Sequence, residues 1–479
     1  MSILRKNIIF NTLLSFSQII FPLVTFPYAA RILEPAGVGQ VSYVDSLTQY
    51  FILFAAVGIP LYGVREMSKI KRDRFASSVL FSEMVSLHVI MTLFFLFVYV
   101  TLIFVVGTRG LDYRLYLIGG GIIISNVFII EWYYQSQERF SFITKRTILL
   151  RFVFIFLMFF LVKTKDDVVI YYFLFLILQL FNGIINFSLV FKDGIEIRLK
   201  KLNLFQHIKP LLFLTTCSVI GSVYVLLDNV ILGILSNNIS VGYYSAAVKI
   251  TKVPISLITS LGIVLVPKLS ESFSNNDLDT IKYYIQSSIH YVLTLGIPLG
   301  IGIALTAKWT VIIVSGNKFE SAVQLVQILS PIVPLIALNC IYFFQLFTPG
   351  NKERTMILIL LVTAIISVVS NVFLIPFFAH LGAAITTTIT ELCVFLISVY
   401  FAKKIFSVNF KVKLLFNPII SSMPFFPIIF AINELEISNI LKLILGGSLC
   451  FILYFSIQLL AFKDAIVIKL KNYILAIFK

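Results

Sequence analysis

From Met84 to Thr108 the chain runs without a Lys, Arg, Asp or Glu, and stretches of the same kind recur almost to its end. A hydrocarbon layer about 30 Å thick requires such lengths, because a helix rises about 1.5 Å per residue. In lipid every backbone N–H and C=O must be bonded within its own segment, so a spanning run of this kind is helical. Composition points the same way: of 479 residues, 59% are hydrophobic and 13% charged, far from the balance of a water-soluble domain. The expected fold class is all-α, a polytopic membrane protein.

At about 20 apolar residues per span, the sequence accommodates roughly fourteen transmembrane helices. Their cores are Ile8–Leu33, Gly39–Val64, Val79–Val106, Leu115–Tyr134, Ile143–Val162 and Val168–Phe191, then Pro210–Leu235, Gly242–Val266, Ile281–Leu305, Ala322–Phe347, Met356–Phe378, Gly382–Ala402, Leu414–Ile432 and Ile440–Phe462. Lys and Arg gather in alternate loops: at Arg5 and Lys6, from Arg65 to Arg74, Arg139 to Arg146, Lys192 to Lys209, Lys403 to Lys413, and after Lys463. That bias places both termini of a multi-pass protein in the cytoplasm. Met1–Lys6 lead into the first span without a small-residue cleavage site, so that span is read as retained. The net charge of +16 falls in these clusters rather than on one patch, which suits anionic lipid and argues against nucleic acid. Cys217, Cys340, Cys393 and Cys450 stand alone, without metal or disulfide spacing.

The chain also carries an echo. Val38-Gly39-Gln40-Val41-Ser42 returns as Val241-Gly242-Tyr243-Tyr244-Ser245, an offset of 203 (39 to 242), and Gly58-Ile59-Pro60-Leu61 returns as Gly262-Ile263-Val264-Leu265. A repeat in the same orientation implies two lobes about a pseudo-two-fold axis along the membrane normal, with a cleft between them. The expected division is 1–191 for the first lobe (six spans), 192–209 for a cytoplasmic linker, 210–402 for the second lobe (six more), and 403–479 for the last two spans and a cytoplasmic tail. The linker KDGIEIRLKKLNLFQHIK reads equally as a hinge or as an amphipathic helix on the inner leaflet.

Several runs resemble a known family. FPLVTFPYAARILEPAGVGQVSYVDSLTQYF (Phe21–Phe51), EWYYQSQERFSFITKR (Glu131–Arg146), LLDNVILGILSNNISVGYYSAAVKI (Leu226–Ile250), VPKLSE (Val266–Glu271) and NVFLIPFFAHLGAAITTTITE (Asn371–Glu391) are similar to the bacterial polysaccharide flippases of the Wzx type. These belong to the multidrug/oligosaccharidyl-lipid/polysaccharide exporter superfamily. The resemblance implies a fourteen-helix transporter that moves an undecaprenyl-pyrophosphate-linked oligosaccharide to the outer leaflet for O-antigen or capsule synthesis. It also implies proton or sodium coupling without a bound cofactor, a lipid-linked substrate within the bilayer, a downstream polymerase as partner, and a monomer.

Such a substrate needs cations for its pyrophosphate, and ionisable groups inside spans are the place to look, because each is costly there. Ser42, Asp45 and Gln49 form a polar stripe on the second helix, and Ser245, Lys249 and Lys252 form one on its repeat partner. Within one residue of register, Asp45 corresponds to Lys249 and Gln49 to Lys252. Lys249 and Lys252 are expected to face the cleft and attract pyrophosphate. Asp228, mid-span, either neutralises Lys249 or joins the cleft; Arg31 either snorkels to outer headgroups or lines the outer mouth. Arg151 answers either Glu131 or the substrate. Glu131, Glu391 and His290 are candidates for ion coupling; the alternative for Glu131, beside Trp132 and Tyr133, is a place in the aromatic interface belt, and for Glu391 and His290 it is structural pairing. Pro22, Pro27, Pro60, Pro331 and Pro334 each remove a backbone donor and are candidates for gating kinks.

No enzyme is expected. Gly350-Asn351-Lys352 lacks the upstream glycine and following hydroxyl of an ATP-binding phosphate loop, and the short external loops leave no room for a polymerase site. The alternatives within the transporter class are a lipid II exporter and a multidrug or cation exporter, the latter kept open by Asp45, Asp228 and Glu391.

Overall fold

The computed structural model describes residues 3–200, 202–262, 265–464, 466–468 and 471, and among them every regular element is helical. The echo at Ile263 and Val264, most of the tail after Lys463 and the side chain of Cys217 lie outside the described residues. By compactness the chain forms unit 1, Met1–Gly233, and unit 2, Ile234–Lys479.

Unit 1 is built from α1 (Ile3–Ala56), α2 (Ile59–Ile70), α3 (Arg74–Val106), α4 (Tyr113–Asn126), α5 (Glu131–Ser136), α6 (Phe140–Leu161), α7 (Val168–Lys192) and α8 (Phe205–Leu235), whose last two residues belong to unit 2. α1 packs on α3, α4 and α6, while α7 packs on α4 and α6. α1 holds two expected spans in one 54-residue element, broken at Glu34 with φ 60° and ψ 177°. Pro35 explains the place of the break, because a residue before proline is driven out of the right-handed helical region. Polar caps open the next helices: the Asp73 carboxylate accepts from the Phe75 and Ala76 amides at 2.9 and 3.0 Å, and Asp112 accepts from that of Arg114 at 2.9 Å.

Unit 2 comprises α9 (Asn238–Gly262), α10 (Val266–Ser274), α11 (Leu278–Leu305), α12 (Ala307–Ser315), α13 (Ala322–Leu329), α14 (Ile332–Cys340), α15 (Glu353–Phe406), α16 (Lys413–Ser422), α17 (Phe425–Asn433) and α18 (Asn439–Leu460). α11 lies at its centre against α9, α14 and α16, with α15 on α13 and α14 and with α18 on α12, α16 and α17. α15 again joins two expected spans, broken at Ala379 with φ 47° and ψ −124°. α14 continues into a π-helix, Ile341–Phe347.

By length and hydropathy eight helices among the described residues can cross a membrane, or nine if the bent run from Ala322 to Phe347 is one span. The tally falls short of fourteen partly because α1 and α15 each carry two expected spans. The fifth, seventh and eighth expected spans lie on α6, α8 and α9, which do not meet that measure; α6 carries Lys145, Arg146 and Arg151. Large apolar side chains such as Phe97, Phe104, Phe377 and Phe430 stand 70%, 89%, 81% and 71% exposed, as lipid-facing residues should. The protein is a multi-pass membrane protein.

The prolines differ from expectation at one place. Pro60 does not kink the second helix: α1 has already ended at Ala56, Val57 and Gly58 take φ 45° and 69°, and Pro60 sits in the first turn of α2, where a missing N–H costs nothing. Pro22 and Pro27 do lie inside α1. Pro331 and Pro334 lie at the start of α14, where the chain bends by 43°.

Candidate functional site: buried charges within each unit

In unit 1 the second half of α1 carries the expected polar stripe. Gln49 donates to the Asp45 carboxylate one turn away at 3.4 Å, and Tyr172 donates to the Thr48 hydroxyl at 3.3 Å. The end of α8 joins this wall: Asn229 donates to the Ser46 hydroxyl at 3.1 Å, and Asp228 beside it is buried at 6% exposure. Asp45, Gln49 and Asp228 are thus brought to one side of the unit. The approach of α8 depends on Gly233, where an added Cβ would overlap the ring of Tyr43. Arg31 is exposed at the Glu34 break.

A second set of charges lies where α5, α6 and α7 meet. Arg146 is buried, donates to Asn186 Oδ1 and to Glu131 Oε1, and lies 5.4 Å from the centre of the Phe142 ring. Arg151 donates to the Ser17 hydroxyl of α1 and lies 5.5 Å from the centre of the Phe21 ring. Glu131 is therefore answered by Arg146, while the hydrogen bond of Arg151 goes to Ser17. Sequence reasoning grouped Arg146 with the loop cluster Arg139–Arg146. Its place inside the fifth apolar run was the signal that could have set it apart.

A third constellation was not anticipated at all. Tyr62 of α2 and His207 at the start of α8 share a hydrogen bond at Nδ1, 2.8 Å, and His207 Nε2 meets Glu83 Oε2 of α3 at 2.9 Å. The other oxygen of Glu83 accepts from the Asn203 amide at 2.8 Å, and all three side chains are buried. Upstream, the linker lies along α3: the Glu196 and Arg198 amides donate to the Ser78 and Ser82 hydroxyls at 3.1 and 2.8 Å. Asp193 bonds Arg139 at 2.7 Å, a contact that holds the guanidinium above its ordinary range. The linker is thus an irregular strap, with helix resuming at Phe205.

In unit 2 Lys249 and Lys252 are exposed on α9, while Ser245, one turn earlier, is buried. Glu391 is buried on α15 and accepts from Asn339 Nδ2 at 2.8 Å. His290 of α11 meets the Asp464 carboxylate at 2.6 Å. Burial pushes that carboxyl up, but the His290 hydrogen bond, its charge and the Val467 and Ile466 amides outweigh this and hold it below the usual carboxylate range. The Pro331–Pro334 bend seats against α11 at Gly296 and Gly300, where a Cβ would come within 3.1 Å of Pro334 Cα and 3.0 Å of the Ser330 carbonyl. Among the described residues no group of three His, Cys, Asp or Glu could hold a metal.

The sequence profile of the family described as "Polysaccharide biosynthesis protein" matches residues 4–273, more than half of the chain. The chain belongs to this family. The chain is 27% identical over 398 residues to the protein named "Putative O-antigen transporter" in Escherichia coli (strain K12), across 81% of this chain and 94% of that one. Its fold is shared with the solved structure titled "Lipid II flippase MurJ, inward closed conformation", at TM-score 0.77 and 12% identity over 96% of this chain and 100% of that one. An inward-facing multidrug resistance MATE transporter of the MOP superfamily matches at TM-score 0.61 and 10% identity, over 81% and 94%.

Proposed function

We propose that this polysaccharide biosynthesis protein is a flippase of the bacterial cytoplasmic membrane. It carries an undecaprenyl-pyrophosphate-linked oligosaccharide repeat from the cytoplasmic to the outer leaflet for O-antigen or capsular polysaccharide synthesis. The observation that carries the reading is the likeness to an O-antigen transporter over nearly that protein's whole length, on a fold shared with a lipid II flippase. Alternating access between the lobes 1–191 and 210–402, with 403–479 beside them, moves the glycan, while the lipid tail stays in the bilayer. Pro22, Pro27, Pro331 and Pro334 place bends where helices must yield.

Lys249 and Lys252 bind the pyrophosphate. They are exposed on a helix whose other residues are largely buried, and lysine holds phosphate as a point charge that can let go on the far side. Asp45, Gln49 and Asp228 supply polar groups to the substrate from the first lobe. Protons or sodium ions drive the cycle through Glu391 or His290. The reading predicts that this chain restores export of the lipid-linked repeat in a strain lacking its own exporter. Replacing Lys249 and Lys252 together by alanine abolishes that restoration at unchanged expression, and undiminished export by the double variant would overturn the assignment of the lysines. Failure of the unaltered chain to restore export of any lipid-linked repeat counts against the flippase itself.

A further inference from the structure

One stripe of α3 is exposed along its length except where the linker crosses it. Phe75, Ser82, Leu93, Phe97, Val100 and Phe104 share a helix face, and all but Ser82 are exposed. Ser82 is covered because the Arg198 amide donates to its hydroxyl, one turn on from the Glu196 amide at Ser78. The linker therefore crosses unit 1 on a face that meets the bilayer. Its depth follows from helix rise. Ser82 and Phe104 lie 22 residues apart, about 33 Å, which matches a hydrocarbon layer of about 30 Å. Phe75 and Phe104 lie 29 residues apart, about 44 Å, which matches the full thickness with headgroups. With Phe104 at one edge, the crossing and Phe75 both fall in the headgroup layer of the other.

At that depth the surface presents apolar and basic side chains together. Leu199 of the linker is 72% exposed, and Phe205, 85% exposed, starts an exposed stripe on α8 with Ile208 and Leu212. The Arg198 guanidinium lies 4.5 Å from the centre of the Phe75 ring, and Arg74, Lys200 and Lys209 are exposed beside Phe75, Leu199 and Ile208. The acids among them are Glu196, bonded to Arg198 at 2.8 Å, and Asp73, whose carboxylate caps α3. Cations therefore exceed acids. A ligand that joins acyl chains to a negative phosphate answers both features at once. An acidic soluble protein would approach from beyond the headgroups, whereas this patch lies within them. We infer that Arg74, Phe75, Arg198, Leu199, Lys200 and Phe205 form a binding site for an anionic phospholipid. Its phosphate meets Arg198 and Lys200, and its acyl chains cover Leu199 and Phe205. The linker is thereby moored to the bilayer as well as to α3.

The test places the full-length chain carrying Leu199→Trp in discs of phosphatidylcholine and phosphatidylglycerol in equal amounts, with one lipid or the other brominated in its acyl chains. Quenching of the added tryptophan is read against the chain without it, whose Trp132 and Trp309 are buried. Transport is not read, so the result does not depend on the flippase assignment. The site predicts quenching by both lipids, with phosphatidylglycerol favoured about 5-fold or more. Lys200→Gln lowers that preference while leaving the linker's amide bonds to α3 in place, so the loss cannot be laid to an undocked linker. Arg198→Gln with Lys200→Gln brings it close to parity. Lys145→Gln, which removes an exposed cation elsewhere in unit 1, leaves it unchanged. Absence of quenching by either lipid puts this face outside the bilayer, open to a soluble partner, and overturns the site. Equal quenching by the two lipids also overturns it, as does a preference that Lys145→Gln reduces as far as Lys200→Gln, since the whole surface charge would then be its source.

Discussion

Glu83, His207 and Tyr62 form one hydrogen-bonded line across three helices, and each is closed off from solvent. Deleting one partner of such a line leaves the other charge or dipole buried and unanswered. His207→Ala should therefore destabilise the protein by about 3–5 kcal/mol, and Tyr62→Phe by about 0.5–1.5 kcal/mol. Thermal inactivation of the purified protein checks both, and equal melting of His207→Ala and the parent chain would refute the first. This line was invisible in the sequence for a physical reason: Glu83 and His207 are 124 positions apart, and only packing brings them together. The need of Glu131 for a cation was legible, because a carboxylate in an aromatic, apolar stretch is costly alone. Which arginine answers it was not, since Arg146 and Arg151 lie on the same helix and only packing decides.

Helices in this protein meet closely where a residue has no side chain. At Gly233 an added methyl group would overlap Tyr43, so Gly233→Ala should cost about 1–3 kcal/mol through overpacking, and Tyr43→Leu should recover part of that loss in the double variant. Simple additivity of the two changes would show that α8 and α1 do not press together there. At the far end of α18, Asp464 ties the chain to His290 of α11. Its carboxyl is depressed in the folded state, so it contributes stability above the ordinary carboxylate pKa and loses it as pH falls below about 4. Asp464→Asn should flatten that acid limb of the stability profile, and an unchanged limb would refute the tie. Element breaks were the most legible part of the sequence. The polar interruptions at Glu34–Val38 and His380–Leu381 fall at or beside the reversals at Glu34 and Ala379. Pro60 was misjudged because the chain had already left the helix at Val57 and Gly58, so proline entered as a helix starter rather than a breaker.

Over the whole molecule, the alternation of basic and sparsely charged loops makes a directional prediction. Reporter domains inserted after Asp193 and after Ser407 should be cytoplasmic, and one inserted after Asp166 should lie outside; the reverse pattern would overturn the orientation. Hydropathy made the fold class readable because the bilayer imposes one secondary structure on every span. It could not show how the linker lies, because the bonds that fix it, from the Glu196, Arg198 and Asn203 amides and from Asp193 to Arg139, reach residues more than fifty positions away. The strap along α3 also sets a clock. Glu83 is made 124 residues before the histidine that completes it, about 6–25 s of synthesis at roughly 5–20 residues per second. During that interval the helices from α3 to α7 are completed with a carboxylate still unmatched, so unit 1 closes only after the ribosome has begun the eighth.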